Sequence, residues 1–349
     1  MSTATATAPF DLVLGDARGD QSGEVQRPRK VRAVEGVGDR IFTVVTRISG
    51  FLVLVIVGAI GVFLTTAAMP ALRKAGFAFL TTQAWQPDIG RFGIAGVLVD
   101  TILIAVIAVI VATPISILAA LFITEICPER MRRLFVTLVD LMAAVPSVVY
   151  AIFGLFYFQG ALVPVARFLA TWFSWIPLFH VPGVDVSNPN TGGTPFSAST
   201  FVVAILVAIM IVPIQTAIMR ESFRLAPLGE REGAYALGST RWGMIRSVVL
   251  PFGRGGMIGG TMLALGRALG ETIVVYLIIS PVFTVNWHVL ATGGNSISAL
   301  IALNNGEASP FGRAALMAAG LALFATTLVI NFIAAAIVSR SRSGAESDV

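Results

Sequence analysis

Arg267 and Glu271 stand four residues apart inside residues 255–280, a stretch that is otherwise apolar and rich in glycine. Four residues is about one helical turn, so a continuous helix there would carry both charges on one face. An arginine at the centre of a bilayer helix costs roughly 2.5–3.5 kcal/mol on insertion scales, and such a charge normally faces a bundle interior or an aqueous path. The chemistry suggested is charge complementation, because a planar guanidinium meets a phosphate-like oxyanion in bidentate geometry. Asp140, in a second apolar stretch, could offer Arg267 another carboxylate. Arg267, Glu271 and Asp140 are therefore the candidate pathway residues, against the plainer alternative of an i,i+4 ion pair that only holds a helix together.

The elements that must position these charges are set by composition. Hydrophobic residues make up 56% of the chain and charged ones 12%, with a mean hydropathy of +0.85, which places it among polytopic membrane proteins. About 20 apolar helical residues cross the hydrocarbon. Windows at 48–69, 101–124, 134–158, 201–219, 255–280 and 314–338 meet that length and predict six spans, an all-α integral membrane fold. Pro114, Pro146 and Pro213 fall inside three of them and permit kinks.

Basic residues set the orientation, since short Lys- and Arg-rich loops stay in the cytoplasm. They crowd the tail before the first window, the second loop (Arg130, Arg132, Arg133), the fourth loop (Arg220, Arg224, Arg231, Arg241, Arg246, Arg254) and the C-terminus (Arg340, Arg342). The opposite side holds only Arg73, Lys74, Arg91, Arg167 and Arg313, so both termini are predicted to be cytoplasmic. The net charge of +5 is then a topology signal, with membrane lipid and not nucleic acid as its partner. Residues 1–41 are polar and read as a disordered cytoplasmic tail, residues 42–340 as the six-helix membrane domain, and 341–349 as a second cytoplasmic tail.

Outside, the stretch with Trp172, Phe173, Trp175 and Phe179 reads as an interfacial aromatic belt or a docking surface, and residues 286–310 as a re-entrant or a surface loop. Asp100 reads as a solvated boundary residue at the end of its span. Cys127, His180 and His288 form no metal-ligand set, and no cofactor is expected. Lys30 and Lys74 each follow arginine, so neither belongs to a Gly-Lys-Ser/Thr phosphate loop and energy must come from another subunit or an ion gradient. No His, Cys and acid cluster at one depth supports an intramembrane enzyme.

The fourth loop, residues 224–254, is neither disordered in composition nor apolar enough to insert. Pro227 can open one short helix, Gly238 supplies a turn tolerant of positive φ, and Ser239 or Thr240 can cap a second. Ala234, Leu237, Trp242, Ile245 and Val249 are predicted to form one apolar stripe along this helix-turn-helix.

Glu232, Gly233 and Ala234, then Gly238, Val248, Leu250 and Pro251, resemble the E-A-A-x3-G-x9-I-x-L-P loop of ABC importer permeases, departing at Gly233 and Val248. The resemblance implies a type I ABC importer fold whose loop docks in a groove of an ATP-binding subunit. Residues 92–160, with Thr124-Glu125 and the run from Ala143 to Tyr150, and the run from Gly266 to Thr272 are similar to the PstC-type branch, the phosphate importer permeases. That branch implies that Arg267 and Glu271 move inorganic phosphate. It also implies a PstA-type second permease, a PstB-type ATPase dimer and an extracytoplasmic PstS-type binding protein, all in the bacterial cytoplasmic membrane. A sulfate or molybdate permease shares the docking loop but lacks a reason for the Arg-Glu match. An ion-coupled secondary carrier leaves the helix-turn-helix without a role.

Overall fold

The computed structural model describes residues 36–186, 188 and 191–342. The chain divides into two units between Val55 and Ile56. Of the first, the described part is the exposed, apolar opening of helix α1 (Val37–Ala75). The expected tails lie, up to residue 35 and beyond residue 342, outside the described residues.

The second unit holds the remaining elements. α2 (Ala78–Thr81) leads into a small antiparallel hairpin, β1 (Trp85–Gln86) with β2 (Arg91–Phe92), in the register Trp85 to Phe92. α3 (Ala95–Leu121) ends in a π-helical turn, Phe122–Ile126. α4 (Glu129–Ala144), α5 (Ser147–Phe153), a second π turn at Gly154–Phe158 and α6 (Gln159–Trp172) follow. α7 (Thr200–Arg224) is the central helix, packed on α3, α4 and α10. Then come α8 (Leu228–Ala236), α9 (Arg241–Met244), a π turn at Ile245–Val249 and α10 (Leu250–Leu269). α11 (Ile273–Ile278), α12 (Ile297–Asn304) and α13 (Pro310–Arg342) complete the chain.

Among the described residues, five helices or helix runs are long and apolar enough to cross a membrane: Val37–Ala75, Ala95–Ile126, Ser147–Trp172, Thr200–Arg224 and Pro310–Ile333. A sixth is Arg241–Phe252 with Arg254–Leu269, bent by 63°. Where the apolar windows were uninterrupted the prediction holds, and Pro114 and Pro213 sit inside helices that run through them.

The expected third span at 134–158 is corrected. Pro146 lacks an N–H and drives the residue before it out of helical geometry; Val145 is extended at ψ 127° and the helix stops. Residues of α4 stay unburied, whereas the membrane-length run starts only at Ser147 and continues to Trp172. The hydroxyl of Tyr150 donates to the Met142 carbonyl at 3.0 Å and braces the corner. The aromatic stretch after Trp172 forms no interfacial helix; it turns through a 3-10 turn at Pro177–Phe179.

The fifth window is also divided. α10 stops at Leu269, Gly270 and Glu271 turn, and α11 starts two residues later. Gly270 closes the last turn at φ −89°, its N–H donating to the Gly266 carbonyl at 3.2 Å. One face of α10 lies against α7 so closely that a Cβ at Gly256 would come 2.1 Å from the Cβ of Ser222 and one at Gly253 2.3 Å from the Phe223 ring. Cβ atoms at Gly259 and Gly266 would meet nothing within 4 Å. The small residues of this helix thus serve two faces, one for internal packing and one left open.

Candidate functional site: an arginine-lined groove and its coupling loop

The open face of α10 forms one side of a groove of about 710 Å³, lined by Ile214 of α7, by Gly259, Met262, Leu263, Gly266 and Arg267 of α10, and by Asn331 of α13. Arg267 is the one charged side chain among those residues. It is exposed and lies in the last turn of α10, where the negative end of the helix dipole favours a cation.

Glu271 takes a different position from the one a continuous helix would give it. It is buried, 7% exposed, and its Oε1 accepts the Val274 N–H at 3.2 Å, satisfying a free donor at the start of α11. No ion pair joins it to Arg267 among the described residues, so the structural i,i+4 pair is not formed. Gly270 ends the helix between the two, and the expected shared face is lost. Asp140 does not reach Arg267 either. It sits on α4, half exposed, with its Oδ1 3.5 Å from Nη1 of Arg220 on α7.

The coupling loop is built as its spacing predicts at the turn. Gly238 adopts φ +83°, the Gly238 N–H donates to the Tyr235 carbonyl at 2.9 Å and the Ser239 N–H to the Ala234 carbonyl at 3.0 Å, a Schellman ending of α8. Thr240 caps α9, accepting the Gly243 N–H at 3.2 Å. The expected single apolar stripe is split. Met244, Ile245 and Val249 are buried in a cluster with Ala120 and Leu121 of α3 and Met219 and Phe223 of α7, while Leu237 and Trp242 remain exposed. The split falls at the turn between the two short helices: Leu237 ends α8 and Trp242 lies in the first turn of α9, and both face out while Ile245 and Val249 face in.

A link that sequence reasoning missed fixes this loop to the spans. Nη1 of Arg231, on α8, lies 3.1 Å from the carboxylate of Glu125 in the π turn after α3, and its Nη2 donates to the Phe223 carbonyl at 2.6 Å. Both side chains are largely buried, Glu125 at 5% exposure. Unlike charges 106 residues apart give no local signal in a sequence.

With this geometry in hand, the comparisons with known proteins are specific. The family described as binding-protein-dependent transport system inner membrane component matches residues 112–343. The chain belongs to this family. Among curated relatives, this permease is 36% identical over 311 residues to the phosphate transport system permease protein PstC 2 of Mycobacterium tuberculosis, covering 88% of this chain and 94% of the relative. It is 40% identical over 281 residues to PstC of Mycobacterium leprae, covering 79% and 85%. PstC of Pasteurella multocida is 35% identical over 301 residues, covering 86% and 91%. In fold, the permease is similar to a chain of a bacterial alginate ABC transporter, at 18% identity and TM-score 0.53 over 84% of this chain and 91% of that one. It also matches a chain of the inward-facing MetNI methionine ABC transporter, at 12% identity and TM-score 0.50 over 71% and 94%. The architecture is that of an ABC-transporter permease, and the chain is a multi-pass protein of the bacterial inner membrane.

Proposed function

We propose that this chain forms half of the membrane pathway of an ATP-driven importer of inorganic phosphate, with Arg267 as the residue the anion meets in transit. The observation that carries the reading is a single guanidinium at the mouth of an otherwise uncharged groove. A dehydrating anion there gains a charge-assisted, fork-shaped partner that offsets its desolvation. The relatives' phosphate names support the substrate, and the groove's openness suits a weak site that releases what it receives.

Glu271 serves this site indirectly. By holding the first turn of α11 it fixes the break after α10 and leaves Arg267 unneutralised. Asp140 acts further away, tying α4 to α7 through Arg220.

The permease carries no covalent chemistry of its own and takes its energy from a PstB-type ATPase dimer on the cytoplasmic side, where both of its termini lie. Residues 232–251 carry the contact, with Tyr235, Leu237 and Trp242 exposed for it and Glu232, Gly233 and Ala234 beside them. Motion received there passes along one continuous backbone, through Val248, Leu250 and Pro251 into α10. The helix bends by 63° between Phe252 and Arg254, and the fourteen residues from Arg254 to Arg267 then run about 20 Å. A PstA-type second permease closes the open Gly259–Gly266 face of α10, and a PstS-type binding protein delivers phosphate from outside.

ATP-dependent uptake into proteoliposomes carrying the reconstituted complex, with phosphate, sulfate and molybdate compared, tests the assignment. Phosphate alone should accumulate; equal uptake of sulfate or molybdate, or uptake driven by an ion gradient without ATP, would replace it.

A further inference from the structure

The external segment after α11 is anchored far more deeply than a surface loop requires. Asp100 on α3, read from sequence as a solvated boundary residue, is fully buried, and its Oδ2 accepts the Asn295 N–H at 3.0 Å. Its neighbour Thr101 accepts the Ile297 N–H through Oγ1 at 3.0 Å. Ser296 completes the start of α12, taking the Ala299 N–H at 3.1 Å. Two adjacent side chains of α3 thus hold the leading N–H groups of an inserted helix, donors that no intrahelical acceptor serves.

The same segment is stitched to the far end of α11. The Gly294 N–H donates to the Ser280 carbonyl at 3.1 Å and the Val282 N–H to the Gly294 carbonyl at 3.0 Å. The approach is close enough to require glycine: a Cβ at Gly294 would lie 2.8 Å from Oγ1 of Thr200 and 3.3 Å from Oδ2 of Asp100, and one at Gly96 would lie 2.3 Å from the Phe283 carbonyl oxygen. Eight residues separate Glu271 from Ser280, and six of them form α11, about 9 Å of helix. α11 is therefore pinned at one end by Glu271 and at the other by a chain of bonds that terminates at Asp100.

We propose that Asp100, with Thr101, is a positioning residue for transport: it fixes the inserted segment and, through α11, holds the break at Gly270–Thr272 in the place that presents Arg267 to the groove. The proposal rests on Arg267 being the pathway residue. It acts on geometry and not on the anion, since Asp100 is fully buried and its hydrogen bond goes to the Asn295 backbone N–H.

The test uses the assembled transporter with a reporter thiol, Thr272→Cys, and retains Cys127, which is buried. Asp100→Ala should raise the rate of maleimide modification at the reporter about tenfold or more, the scale expected when a buried acceptor is removed and its donor left unpaired. Asp100→Asn, which keeps an oxygen for the Asn295 N–H, should stay within about threefold of the parent. Turnover should fall in Asp100→Ala while the half-saturating level of loaded binding protein holds, a split that reduced assembly alone does not produce. Thr101→Val removes the companion acceptor without changing shape and carries the same test if Asp100→Ala does not assemble. Unchanged modification in both variants overturns the proposal. Normal uptake by Arg267→Ala would instead defeat the pathway assignment, and it is read separately from the thiol signal.

Discussion

Replacing Gly238 with valine isolates the contribution of the coupling loop, because the added side chain meets no atom within 4 Å. Its only effect in this chain is on the backbone. At φ +83° an L-residue brings its Cβ against its own peptide units, which costs about 1–2 kcal/mol and more for a β-branched side chain. Two hydrogen bonds close this turn, from Gly238 to Tyr235 and from Ser239 to Ala234, and both weaken as φ moves back to negative values. A penalty of about 1–2 kcal/mol shifts the population of the intact turn by about 5–30-fold. Ala236, Leu237 and Gly238 are exposed, so packing at the turn itself does little to resist that shift. Gly238→Val should lower both co-purification of the ATPase subunit and transport-coupled ATP hydrolysis at least about fivefold, with the spans' thermal unfolding unaltered. Gly238→Asn, whose side chain tolerates the left-handed region, should lose much less. Equal damage by valine and asparagine would show that bulk at the contact surface matters and turn conformation does not. Full coupling in the valine variant would refute the reasoning altogether.

Further outcomes follow from contacts on either side of α10 and α8. Gly256→Ala forces a Cβ into Ser222 and should destabilise the isolated permease by about 1–3 kcal/mol, measured as a lower thermal midpoint. Gly259→Leu points into open space and should leave that midpoint alone while reducing capture of the second permease. Arg231→Ala strands the buried Glu125 carboxylate, a loss of about 3–5 kcal/mol, and should uncouple ATP hydrolysis from uptake; Glu125→Gln, which leaves a neutral acceptor, should do less.

Hydropathy revealed the helices whose apolar runs are uninterrupted, because burial in lipid is summed over about 20 residues regardless of partners. It passed over the breaks at Val145 and Gly270, because the first is decided by the single proline that follows and neither changes a window average. Gly238 was legible because glycine, cap and proline spacing are local, and the turn has the predicted form. The stripe was misread at Leu237 and Trp242, which flank the Gly238 turn, since a helical period does not carry across a break between two helices. Asp100 was misread for another reason: its partner is the Asn295 backbone, 195 residues on, and nothing near position 100 signals it. Arg267 stood out by type alone, yet its separation from Glu271 depended on where the helix ended.

The most direct measurement is ATP-driven phosphate uptake by Arg267→Ala and Arg267→Lys in reconstituted complexes matched for ATPase content. Removing the only charge lining the groove should abolish uptake or nearly so, because the anion would be desolvated without a compensating cation. Lysine should restore part of it if charge suffices and almost none if the planar fork is required. Uptake at the parent rate by Arg267→Ala in an intact complex would contradict the account.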